Sequence, residues 1–247
     1  MQYRALGRTG LKVSQLCLGT TMFGGKTDEQ ESFRIIDHAI NEGVNFIDTA
    51  DVYAGNESER ILGKALAAES KRDNIILATK FNFANPADMN ARGLSRRHVI
   101  NACDASLKRL NTEWIDLYQM HRCSSAIPID ETLRALDDLV KAGKIRYIGG
   151  SMFPAWRIVE SLWVAKELGL NRLICEQPAY HLLDRTAFPT EPINSAPSTQ
   201  PSIAGASERE SSMGSIACDG VIESNEIKMP MGGASWAMLN PMLNWYW

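Results

Sequence analysis

The sequence predicts an α/β protein built as a parallel (β/α) barrel with six recognisable units. Three observations predict it. Short apolar runs alternate with amphipathic helical stretches at a spacing of about thirty residues. No dinucleotide fingerprint G-x-G-x-x-G and no P-loop follows any of the runs, which disfavours an open nucleotide-binding sheet. Polar side chains capable of chemistry stand where the apolar runs stop, and in a barrel those ends share one mouth.

The strand-like runs begin near Leu16, Val44, Ile75, Trp114, Ile145 and Leu173. The stretches LCLG, VNFID, IILATK, WIDLYQM, IRYIG and LICEQ are short and apolar, as strands covered on both faces should be. The first intervening helix is expected to open on a capping box of Thr27 and Gln30, to bury Phe33, Ile36 and Ile40, and to stop at Gly43. The second starts at Asn56, with Glu59 three residues on, and buries Ile61, Leu62, Ala65 and Leu66. The third follows Ser95 and turns Val99, Ala102, Cys103, Ser106, Leu107 and Leu110 inward. The fourth runs from Pro128 to Gly143 on Leu133, Leu136, Leu139 and Val140. The fifth begins near Pro154, faces inward with Ile158, Val159, Leu162 and Trp163, and ends at Gly169.

Composition excludes several functions. At 247 residues the chain is 45% hydrophobic and 22% charged, with a net charge of -3. That balance gives no reason to expect nucleic acid or an acidic membrane surface as partner. No apolar run is long enough for a membrane span, and no signal-peptide core follows the N-terminus. Cys17, Cys103, Cys123, Cys175 and Cys218 are scattered, with no C-x-x-C pair, so neither a disulfide framework nor a metal site is expected. Reduced thiols in a cytoplasmic protein are the expectation.

The ends of the runs carry the functional signal. Gly19, Thr20 and Thr21 follow the first, and Asp48 and Tyr53 the second. The third ends in Lys80, the fourth in His121, the fifth in Ser151, and the sixth in Glu176 and Gln177. Singly, each has a plain structural explanation: Asp48 as a turn cap, Tyr53 as a surface aromatic, Lys80 as a solvated lysine, His121 as a rim histidine. Together they make a proton donor. A phenol is a poor acid at neutral pH, and a neighbouring ammonium eases loss of its proton. Lys80 supplies the ammonium, Asp48 holds it, and His121 orients a carbonyl or shares the proton. The set holds no nucleophile and no metal ligands, and a proton donor without them suits hydride transfer from a cofactor. His38, His98 and His181 suggest no role in catalysis.

These stretches resemble the aldo-keto reductases. YRALGRTGLKVSQLCLGTTMFGG is similar to that family's N-terminal hairpin and first strand. FIDTADVYAGNESERILGKAL resembles its most distinctive signature, and LATK and LYQMHR match the places of its lysine and histidine. The flavour is that of the aryl-alcohol dehydrogenase-like and potassium-channel β-subunit-like branch, and it covers about residues 1–186. The resemblance implies a (β/α)8 barrel that binds NADP(H) without a Rossmann fold and reduces an aldehyde or ketone to an alcohol. It implies Tyr53 as general acid, tuned by Asp48 and Lys80, with His121 placing the substrate carbonyl. It implies Gly19, Thr20, Thr21 and Asp48 beside the cofactor, and Ser151 and Gln177 bonded to its carboxamide.

The chain also departs from that pattern. Met152 stands where the family usually has Asn, and cannot make the amide hydrogen bonds of that residue. Cys123 and Ser124 replace a common Pro-Asp. Beyond Ala187 the β-α alternation stops, and six of the ten prolines follow. Residues 187–247 therefore read as a Pro/Ser-rich and apolar tail without the seventh and eighth units, with a short hairpin expected at 216–227 and an aromatic end, WAMLNPMLNWYW, able to pack on the barrel. A barrel truncated to six units is expected to expose its first and sixth strands as open edges, through which, or through the aromatic end, the chain could self-associate. A catalytically impaired relative that acts as a binding or regulatory subunit is the alternative this tail suggests.

Overall fold

The computed structural model describes residues 1–83, 88–179 and 235–238. An N-terminal hairpin, β1 (Tyr3–Ala5) and β2 (Lys12–Ser14), precedes a curled sheet of β3 (Leu16–Gly19), β4 (Phe46–Asp48), β5 (Ile76–Phe81), β6 (Ile115–Met120), β7 (Ile145–Ser151) and β8 (Leu173–Gln177). These six strands pair in chain order and all in parallel, so each crossover helix packs on the same outer face. The helices are α1 (Glu29–Asn41), α2 (Glu57–Ala67), α3 (Arg96–Leu110), α4 (Ile129–Lys141) and α5 (Ala155–Glu167). A ninth strand, β9 (Ser235–Met238), pairs antiparallel with β3. The expected open edge at the first strand is therefore covered. Trp236 to Met238, the start of the aromatic end, thus lie on the sheet, while the hairpin expected at 216–227 and the rest of the aromatic end lie outside the described residues.

Two apolar layers follow from strand alternation. The larger lies between sheet and helices and includes Leu18, Ile47, Leu77, Tyr118 and Ile148 with Ile36, Leu62, Val99, Leu133 and Leu136. The smaller lies on the concave side, where Leu6 and Val13 of the hairpin region meet Cys17, Phe46, Ala78 and Leu117. The hairpin thus plugs the end of the sheet away from the mouth.

Helix α3 is capped as expected, the Ser95 hydroxyl accepting from His98 N. Three expectations change. Helix α1 is capped by Asp28, whose carboxylate accepts from Glu31 N at 2.9 Å, and not by Thr27. Asn56 sits before α2 in the left-handed region, with φ 80°, and its amide bonds Asp51 O instead of capping the helix. In α5, Val159 and Trp163 face solvent, at 57% and 61% exposure, while Arg157, Ser161 and Ala165 turn inward. Arg157 earns that place by donating to Ser124 O at 2.8 Å and Ile127 O at 2.9 Å, bracing the loop after β6.

Helices α2 and α3 touch where Gly63 meets the end of α3. A Cβ at Gly63 would lie 2.5 Å from Arg109 O and 2.7 Å from Leu110 C. These are backbone atoms that cannot swing aside. Gly63→Ala is expected to destabilise the chain by about 1–3 kcal/mol, because overpacking outweighs the better helix propensity of Ala. Urea denaturation checks this: a midpoint unchanged or raised contradicts the expectation.

Candidate active site

The site is built by continuing the inward face of each strand past the concave apolar layer. Phe46, Ala78 and Leu117 point inward, and two residues further along lie Asp48, Lys80 and Gln119. Parallel register sets Lys80 beside Gln119 and Ser151 beside Gln177. Gly149 makes the room: a Cβ there would lie 2.9 Å from Gln119 Cγ and 3.1 Å from Cys175 Sγ.

Lys80 is the centre. Its side chain is 1% exposed, and its ammonium donates to Asp48 Oδ2 at 2.5 Å and to Thr49 O at 3.1 Å. Its third direction is Tyr53 Oη at 3.3 Å. Burial opposes the charge on Lys80, but Asp48 and then Tyr53 outweigh it and raise the lysine pKa. The ammonium therefore persists at neutral pH. Asp48 is held in turn by Gln119 Nε2 on Oδ1 at 3.2 Å and by Gln177 Nε2 on Oδ2 at 3.4 Å. Gln119 also donates to Gln177 Oε1 at 3.3 Å.

Tyr53 sits on a 3₁₀ turn, Tyr53–Asn56, after β4. His121 follows β6, tied down by its N–H to Phe81 O at 2.9 Å. The two rings meet edge to face with centroids 5.9 Å apart, and Phe83 also packs edge to face on His121 at 5.1 Å. Burial, then the charges of Lys80 and Arg122, push the His121 pKa down to about 3. The imidazole is neutral at physiological pH, and its buried Nδ1 has no hydrogen-bond partner among the described residues.

The sequence-derived set thus converges in large part. Asp48, Tyr53 and Lys80 are bonded together, and His121 lies against Tyr53. Ser151 is buried beside Gln177 and donates to Gln177 O at 3.1 Å. Gly19 pairs with Asp48 across β3 and β4. Thr20 is fully buried, its hydroxyl held by Ser58 at 2.8 Å and Asp48 O at 3.2 Å, whereas Thr21 keeps partial exposure. Glu176 turns away from the tetrad and accepts from Phe153 N at 2.8 Å, and burial pushes its pKa up to about 8. Sequence reasoning missed Gln119. Its signal was parity: in WIDLYQMH it is the polar residue at the inward spacing of Leu117 and His121. Among the described residues no cluster of His, Cys, Asp or Glu could hold a metal ion, and no helix is long and apolar enough to cross a membrane.

Met152 closes the rim with φ 59°, a left-handed conformation uncommon for residues other than Gly, Asn and Asp. The profile of the Aldo/keto reductase family matches residues 15–195. The chain is 42% identical over 196 residues to an uncharacterized oxidoreductase, YrpG, of Bacillus subtilis (76% of this chain, 60% of the relative). It is 38% identical to a probable voltage-gated potassium channel subunit beta of Arabidopsis thaliana (77% and 58%). It is also 38% identical to a versiconal hemiacetal acetate reductase of Aspergillus parasiticus (75% and 61%). The chain therefore spans about three fifths of the length of these curated relatives.

Left-handed backbone costs a residue with a Cβ about 1–2 kcal/mol, and Asn tolerates it best after Gly. Met152 is 37% exposed, so little packing is lost on replacing it. Met152→Asn is expected to stabilise the chain by about 1 kcal/mol. A melting temperature that falls would show that the Met152 side chain contributes more than its backbone costs.

Proposed function

The chain belongs to the aldo/keto reductase family, and on that premise we propose that it reduces an aldehyde or ketone to an alcohol with NADPH, using Tyr53 as the proton donor. The single observation that carries the reading is the buried relay from Asp48 through Lys80 to Tyr53, with contacts of 2.5 and 3.3 Å. A lysine this deeply buried, aimed at a phenol, has no structural need of that phenol. The relatives described as an oxidoreductase and as a reductase support the same class of chemistry.

The donor set fits a nicotinamide carboxamide. Ser151 offers a hydroxyl and Gln177 an amide, side by side, and Gly19, Thr20 and Thr21 stand beside Asp48 across the mouth. The bound cofactor would supply hydride to the carbonyl carbon. This chain's residues do the rest. The neutral His121 ring carries one N–H to direct at the carbonyl oxygen, beside Tyr53 Oη. Tyr53 gives that oxygen its proton as negative charge develops there. Lys80, still an ammonium, stabilises the phenolate left behind, and Asp48 keeps Lys80 in place. Val52 and Phe83, 41% and 43% exposed near Tyr53 and His121, present apolar surface to the substrate's carbon skeleton.

A second reading, a binding or regulatory subunit with impaired catalysis, is favoured by one observation. The strained Met152 adjoins the carboxamide-binding pair of Ser151 and Gln177, where it weakens the fit. The two readings part on one experiment. Titrating the full chain with NADPH by cofactor fluorescence, followed by a screen of aldehydes and ketones, is expected to give saturable binding and carbonyl-dependent oxidation of the cofactor. Tyr53→Phe is expected to keep the binding and lower kcat by about 10²–10⁴-fold, the size of a general-acid contribution. Binding without turnover in the unaltered chain favours the subunit reading, and turnover that survives Tyr53→Phe removes Tyr53 from the mechanism.

The depressed His121 pKa adds a pH signature. Its imidazole is neutral above about pH 3, so lowering the pH from 7 to 5 titrates nothing on it. The rate kcat/KM is expected to show no loss with a midpoint in the ordinary histidine range as acid is added, and a His-like acid limb would show that the imidazole takes up its proton in that range, against the depression.

A further inference from the structure

Behind Tyr53 lies a second ionisable cluster that the reaction above does not use. Asp51 comes from the turn after β4, Glu59 from α2, Thr79 from β5, Arg109 and Cys103 from α3, and Tyr118 from β6. Glu59 is fully buried and fully engaged: Arg109 Nε donates to Oε2 at 2.6 Å and Thr79 Oγ1 to Oε1 at 2.7 Å. Arg109 makes its other bond to Ser106 Oγ at 3.0 Å. On the opposite face of β5, Lys80 is committed to Asp48. The cluster thus holds two carboxyl groups for one guanidinium.

Asp51 is the carboxyl without a cation of its own. It is 5% exposed, and its Oδ1 has no hydrogen-bond partner among the described residues. The hydroxyl of Tyr118, whose pKa burial raises, is also buried and has no partner among the described residues. A buried carboxylate in this setting is costly, and the neutral acid costs far less. Burial, then the charge of Glu59, raise the Asp51 pKa to about 7, against the pull of Arg109 and of the backbone N–H groups of Asn82 and Val52.

Asp51 also fixes the turn that carries Tyr53. Its N–H donates to Lys80 O at 3.0 Å, its C=O accepts from Asn56 Nδ2, and its carboxyl meets the N–H groups of Val52 and Asn82. These ties fasten both ends of the segment 51–56 to the exit of β5. Between them the backbone passes through Ala54 at φ 47° and reaches Asn56 at φ 80°. Two non-glycine residues in left-handed conformations do not hold such a turn unaided.

We propose that Asp51 is a positioning residue for Tyr53: as a neutral acid it locks the turn onto β5, and its ionisation loosens the turn and withdraws the phenol from Lys80 and His121. The role rests on the reading of Tyr53 as proton donor and gives that reaction an alkaline limb. Charging Asp51 places an anion beside Glu59 in a buried site, and the relief available is opening of the turn.

Amide exchange of residues 50–57 tests this in the full chain, without cofactor or substrate, after normalisation to intrinsic rates. Between pH 6 and 8 the normalised exchange is expected to rise about tenfold, as linkage to one ionisation requires. Asp51→Asn keeps the shape, cannot ionise, and is expected to abolish the rise. Should that variant not fold, Glu59→Gln carries the test: it frees Arg109 to pair with Asp51, which then ionises in place and flattens the rise. A flat profile in the unaltered chain, or a rise that persists in Asp51→Asn, overturns the proposal. Exchange needs no catalysis, so the two readings fail separately. A rise abolished by Asp51→Asn in a chain that reduces no carbonyl removes the reductase reading and leaves the turn lock standing. An active enzyme with a flat profile does the reverse.

Discussion

A lysine ammonium with 1% exposure is the constraint around which this structure is arranged. Buried charge is tolerable only when paired and hydrogen-bonded, and loss of one partner from such a pair costs about 3–5 kcal/mol. Asp48 must therefore stand opposite Lys80, which fixes the register of β4 against β5. Asp48 brings its own requirement for donors, met by Gln119 of β6 and Gln177 of β8. Four strands are thereby pinned in one layer. The requirement reaches β7 as well, because Gly149 must lack a side chain where Gln119 and Cys175 fill the space. A slip of one residue in any of these strands would turn its polar group out among the helices and bring an apolar one in.

That layer explains what was legible in the sequence. Strands and helices announce themselves because short continuous apolar runs give way to a period of 3.6 at each crossover. The tetrad announces itself because each member stands where an apolar run stops. Gln119 does not stop a run. It lies within one, and only its parity with Leu117 and His121 marks it. The second cluster was hidden for a different reason. Asp51 reads as a turn residue and Glu59 as the acidic partner of a helix start, and both roles are common enough to end the enquiry. Neither Arg109 nor Tyr118 is near them in sequence. Helix α5 misleads in the opposite sense: Val159 and Trp163 are apolar yet outward, because the inward stripe is spent on Arg157, which serves the loop after β6. The strand β9 pairs antiparallel, outside the parallel alternation that revealed the other strands, so that alternation could not reveal it.

Departures from local rules offer a view of the site that owes nothing to resemblance. Among the described residues, the non-glycine positions with positive φ are Ala54, Asn56, Asn111 and Met152. Asn111 ends α3 in a left-handed cap, an ordinary use of Asn. The other three ring the mouth: two in the turn of Tyr53 and one after Ser151. Three of the seven buried side-chain polar atoms that lack a hydrogen-bond partner among the described residues, Asp51 Oδ1, Tyr118 Oη and His121 Nδ1, fall within or behind the same rim. A chain selected for stability alone would place Gly at the strained positions and an apolar residue at the orphaned ones. Strain and unmet hydrogen bonds persist where surrounding structure is rigid enough to impose them, and here the imposing structure is the Asp48–Lys80 layer beneath. The layer that costs desolvation is thus also what holds the rim in conformations it would not adopt alone, and the phenol, the imidazole and the strained Met152 all stand on it.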